Sequence, residues 1–123
     1  FKISSLKLIN FLLLNPDIDL SICNNEGSNI IYEAVKKDRN DYINFEIFSN
    51  LLLKLDKNIL CNIINNKNNN NDDCLLMACN NCNNKLIKKL LDLGSNINSK
   101  NHEGQTSIIL TILNNNFECF ETL

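Results

Sequence analysis

The sequence predicts an all-α solenoid of stacked helix–turn–helix units, and three observations carry that expectation. First, residues 68–100 line up without a gap on the segment beginning at Asn101, so that Ala78 matches Thr111, Asp73 matches Thr106 and Leu90 matches Leu123, each at a spacing of 33. A period of that length is the mark of one supersecondary unit stacking on its copies. Second, a residue able to cap a helix recurs at one register position, as Asn29, Asp73 and Thr106; all three types accept a hydrogen bond from the free amides of a first helical turn. Third, each cap leads into a short, nearly all-apolar run, as expected of a helix sandwiched inside a stack.

Taken in chain order, the first element is a leucine-rich second helix around Ile9, Leu12 and Leu13, stopped by Pro16. An older copy of the unit follows, in which Leu20 and Ala34 precede Ile64 and Ala78 by 44 residues, one period plus 11. Its first helix reads Ile30-Ile31-Tyr32 with Ala34-Val35. The extra residues are expected in two connections, about six around residues 36–43 and about five within 54–63 after Leu53, because insertions collect where backbone stays solvated. The next first helix is Cys74-Leu75-Leu76-Met77-Ala78-Cys79. Its second helix places Leu86, Ile87, Leu90 and Leu91 on one face and Lys85, Lys88, Lys89 and Asp92 on the other. Gly94 ends that helix, and Gly27, Asn71 and Gly104 stand two residues before the caps, where a tight turn needs positive φ. The last run is Ser107-Ile108-Ile109-Leu110-Thr111-Ile112. Ala34, Leu75, Ala78, Leu90, Leu91 and Ile108 are expected to be buried.

These residues resemble the ankyrin repeat, whose pattern combines an Asp-x-x-Gly turn, a Thr-Pro-Leu-His-x-Ala helix start, a Leu-Leu pair and a Gly-Ala-Asp-Val-Asn exit. Here the start reads Asn101-His102-Glu103-Gly104-Gln105-Thr106-Ser107-Ile108-Ile109-Leu110-Thr111, and the exit reads Leu90-Leu91-Asp92-Leu93-Gly94-Ser95-Asn96-Ile97-Asn98. The stretch from Leu12 to Ser21 is similar to an exit with one extra residue and a proline. The pattern is divergent: Ile30, Cys74 and Ser107 stand at the proline position, and the helix-start histidine is kept nowhere. The resemblance implies one ankyrin-repeat-like domain over residues 1–123, with a partial unit 1–23, a unit 24–67 with insertions, a unit 68–100 and a truncated unit 101–123. The chain lacks an initiator Met and Leu123 falls where the first leucine of another pair is due, so the register expects a piece of a longer array.

Composition narrows the function classes. A hydrophobic fraction of 44% suits a continuous core, while a formal charge of −2 and a pI near 5.3 give no electrostatic footprint for nucleic acid. No run of 18 apolar residues is present to insert in a membrane. Residues 6–14 follow Lys2 and could pose as a signal peptide, but Asn10 interrupts them and no small-residue cleavage site follows. With six thiols and no secretory signal, a reducing intracellular compartment, the cytoplasm, is expected.

Cysteine offers the main alternative. Cys74, Cys79, Cys82 and Cys119 superficially match a ferredoxin-type ligand spacing, and Cys79-x-x-Cys82 a redox pair. The register instead equates Cys74 with Ile30 and Ser107, Cys79 with Val35 and Ile112, and Cys119 with Leu86, so these thiols read as small apolar fillers and no cofactor is expected. The single histidine, His102, lies on a turn with no nucleophile beside it, and Asp73 of the Asp72-Asp73 pair is already a cap. Roughly a fifth of the residues are asparagine, and the tract at residues 65–71 reads as a solvated low-complexity turn.

The function expected is therefore non-catalytic binding of a protein partner. The resemblance implies that the partner lies along the concave side, on turn tips and exposed first-helix ends. Carried over, that surface is Asn25, Glu26, Ser28, Lys36 and Lys37; Lys67, Asn69, Asn70, Asp72, Asn80 and Asn81; and Lys100, His102, Glu103, Gln105, Leu113 and Asn114. A structural spacer within a larger multidomain protein is the remaining alternative.

Overall fold

The computed structural model describes residues 19–37 and 55–123. Six α-helices run through them: α1 (Ile30–Lys37), α2 (Lys57–Ile64), α3 (Cys74–Asn80), α4 (Asn84–Asp92), α5 (Ser107–Leu113) and α6 (Phe117–Thr122), with no strand among the described residues. An isolated antiparallel bridge, Cys23 with Asn29, closes the first turn. The leucine-rich helix expected around Ile9 to Pro16, and the part of the first insertion beyond residue 37 up to Leu53, lie outside the described residues.

Local chemistry sets where the helices begin. Each expected cap is in place: the side-chain oxygens of Asn29, Asp73 and Thr106 accept from the backbone N–H of Tyr32, Leu76 and Ile109. Second helices are capped by the same device, with Asn83 accepting from Leu86 N–H and Asn116 from Cys119 N–H. A cap of this kind is worth about 1 kcal/mol.

Packing then joins the units. Helix α3 lies against both α1 and α5, α2 packs on α1, α4 on α3, and α6 on both α4 and α5. One core runs through the stack, from Ile31 and Val35 through Leu60 and Ile64 to Leu75, Leu76, Ala78, Leu86, Ile87 and Leu90, all 1% exposed or less. The all-α fold expected from the repeat is the fold observed.

One segment and three residues depart from expectation. The five residues assigned to a connection within 54–63 include much of helix α2: Asp56 caps it, and Leu60, Ile63 and Ile64 form the i, i+3, i+4 face that α1 covers. Ala34 and Leu91 are half-buried rather than buried. Ile108 is 42% exposed. Leu75, its register equivalent, is buried because α5 stacks on α3, whereas no described helix stacks on the far side of α5.

Candidate partner-binding surface

The turns that carry the candidate tips are built from one repeated motif. Asn24 Oδ1 accepts from the backbone N–H of Glu26 and Ser28, Asn68 Oδ1 from those of Asn70 and Asp72, and Asn101 Oδ1 from those of Glu103 and Gln105, all at 2.9–3.0 Å. Each asparagine also receives, on its carbonyl, the N–H of the residue three further on, Gly27, Asn71 or Gly104. Those residues have φ of 78°, 60° and 77°. At Gly27 the choice is also steric, since a Cβ there would meet Asn69 Oδ1 at 2.7 Å.

Successive turns are then tied together. Asn69 N–H donates to Glu26 carbonyl at 2.8 Å, and His102 N–H donates to Asn70 carbonyl at 2.9 Å, the same bond one unit on. Farther along, Asn81 Nδ2 donates to Val35 carbonyl and Asn114 Nδ2 to Cys79 carbonyl, each reaching the end of the preceding first helix.

Between the second and third turns sits a polar joint. The Tyr32 hydroxyl donates to Asp72 Oδ2 at 2.7 Å, and the Ser99 hydroxyl donates to Asp73 Oδ2 at 2.7 Å. Lys67 Nζ donates to Lys100 carbonyl at 2.8 Å and lies 3.8 Å from Asp73 Oδ2. Burial holds the Asp72 carboxyl above the usual carboxylate range, although the Tyr32 hydrogen bond and Lys67 pull it down. Burial also raises the Tyr32 phenol.

The residues named for the partner surface divide accordingly. Asn25, Glu26, Lys36, Asn69, Asn70, Asn80, Lys100, His102, Glu103, Leu113 and Asn114 are exposed, and Gln105 is half-buried. Ser28 is corrected: it is 3% exposed, its N–H and carbonyl bonded within the turn to Asn24, so it is a frame residue and offers no contact. Lys67, Asp72 and Asn81 are half-buried and spend their polar atoms on bonds between units. The Lys37 side chain lies outside the described residues.

The sequence reading missed the bonding role of the asparagines, having taken the tract at 65–71 as solvated. Asn65 and Asn66 in that tract bridge to Gly94 and Gly27 carbonyls. The signal was present in the recurrence of Asn24, Asn68 and Asn101 at the repeat spacings of 44 and 33.

The cysteines are dispersed. Cys74, Cys79 and Cys119 are buried, Cys82 is exposed with φ 58°, and all six are free thiols. Burial pushes the Cys79 thiol up to about 12 and raises Cys74 further, so neither offers a thiolate at neutral pH. Among the described residues no group of three or more His, Cys, Asp or Glu side chains is placed to hold a metal ion. No described helix is long and apolar enough to cross a membrane.

Large apolar side chains are exposed on the last helix pair: Ile108, Ile109, Ile112, Leu113, Phe117 and Phe120, at 41–69%. An open groove of about 260 Å³ lies among Thr111, Ile112, Asn115, Asn116, Phe117 and Phe120.

Against known proteins, residues 75–123 match the family model for ankyrin repeats (many copies). Comparison with curated proteins gives no match. Ankyrin repeats generally serve as protein-interaction modules and are typically non-enzymatic. Helix pairs stacked in register and turns bonded alike from unit to unit accord with that match, which over residues 75–123 supports an ankyrin-repeat family.

Proposed function

We propose that this chain is a non-catalytic module that binds a protein partner across its turn tips and the exposed ends of its first helices. The observation that carries the reading is the rigid presentation of the tips. Asn25 and Glu26, Asn69 and Asn70, and His102 and Glu103 project from turns whose backbones are bonded internally and to one another. Side chains held on such a frame lose little freedom when a partner arrives, which lowers the entropic cost of association. The surface is polar and of mixed charge, which suits hydrogen-bonded recognition of a protein better than capture of an apolar small molecule.

Photo-crosslinkers placed singly at Asn80, His102 and Glu103, and at Lys88 on the outward face of α4, test the reading. Adducts to one protein from the first three positions, and none from Lys88, are expected. Adducts formed only through Lys88 would overturn it.

A further inference from the structure

The row of residues at the ends of the first helices indicates what the partner brings. Lys36, Asn80 and Leu113 occupy one register position on α1, α3 and α5, and all three are exposed. Chemistry changes along the row from cation through amide to apolar. Leu113 is 63% exposed, for a different reason from Ile112 beside it. The equivalents of Ile112, Val35 and Cys79, are 0% exposed because the following unit covers them, whereas Lys36 and Asn80 remain exposed with the following unit in place. Leu113 is thus a surface leucine by its position in the unit.

Charge restricts the other end. Helices α3 and α5, Cys-Leu-Leu-Met-Ala-Cys-Asn and Ser-Ile-Ile-Leu-Thr-Ile-Leu, hold no ionisable acid or base apart from the cysteines. Lys36 is then the exposed cation of this row among the described residues. Packed helices lie about 8–10 Å apart, so α1 to α5 is about 16–20 Å. An extended chain rising about 3.3 Å per residue covers that distance in about five or six residues.

We infer that the partner is a protein segment carrying an acidic residue and a large apolar residue about five or six positions apart in extended form, the acid over Lys36 and the apolar side chain over Leu113. This rests on the concave surface being the binding surface.

The test is selection of a randomised twelve-residue peptide library, displayed on phage, on the full chain, with far-UV circular dichroism confirming that each variant folds. Enriched peptides should pair Asp or Glu with Leu, Ile, Phe or Met at that separation. A selected peptide, made synthetically, should bind Leu113→Asp at least tenfold more weakly, and selection on Lys36→Glu should exchange the acid for Lys or Arg. Enriched peptides without the pairing, whose binding is lost in Glu103→Lys, would overturn the inference and leave the concave surface standing. Peptides insensitive to all three substitutions would overturn both. Absence of enrichment would overturn the pairing.

Discussion

Replacing Asn68 by Ala removes the head of the middle turn. Its Oδ1 accepts two backbone N–H groups, from Asn70 and Asp72, each at 2.9 Å, and no neighbouring group stands in for it. A typical intramolecular hydrogen bond contributes about 0.5–1.5 kcal/mol net. Asn70 is exposed, so its freed N–H rehydrates, while that of half-buried Asp72 does so less completely. The expected loss is therefore about 1–2 kcal/mol, roughly a five- to thirtyfold shift in the folded-to-unfolded ratio. Asn68→Asp keeps an oxygen acceptor but loses the amide that donates to Ser28 Oγ and adds a carboxylate beside half-buried Asp72, so it should recover only part of that stability. Asn62→Ala, on the exposed face of α2, deletes an equal side chain from a helix where alanine is the better former, and should cost nothing. Urea melts of the four proteins, read at a common m-value, give the comparison. Equal losses at Asn68 and Asn62 would refute the bonding role assigned to these asparagines.

Leu90, fully buried on α4, should lose about 2–5 kcal/mol on truncation to Ala, while Lys88→Ala on the exposed face should change stability by less than about 0.5 kcal/mol; similar losses in urea would mean the register is wrong. Because the folded chain raises the Asp72 pKa, the stabilising contribution of its neutral form is present below the ordinary carboxylate pKa and lost as pH rises through the raised value. Asp72→Asn should then melt later than the parent protein at pH 7, with the gap closing as both are acidified below about pH 4; a gap that widens in acid contradicts the assignment. Native protein at pH 8 should react rapidly with Ellman's reagent at exposed Cys23 and Cys82 and slowly at buried Cys74, Cys79 and Cys119, all six reacting once urea is added. Fast labelling of Cys79 would show that the core is open there.

The repeat, the all-α fold and the helix caps were legible in the sequence because each depends on local chemistry repeated at a fixed spacing. Asn29, Asp73 and Thr106 each serve amides three residues away, and Leu86, Ile87 and Leu90 declare their face through helical periodicity. Gly27, Asn71 and Gly104 likewise announce positive φ by residue type alone.

What only the tertiary structure decided depends on which unit covers which. Leu75 and Ile108 share a register position and an apolar character, yet one is fully buried and the other 42% exposed, because a first helix stacks on α3 and none of the described helices does so on α5. Helix α2 escaped notice for a related reason: it falls inside an insertion, out of phase with the repeat, and its Leu60, Ile63 and Ile64 gain their meaning from contact with α1. Asparagine behaves the same way. Its amide can turn to water or bridge two units, and composition does not distinguish these states. Asn69, Asn81 and Asn114 join one unit to the next because the stack brings a carbonyl within reach of each amide. Burial and long-range hydrogen bonds are properties of neighbours in space, which a one-dimensional pattern specifies only where every unit has the same neighbours.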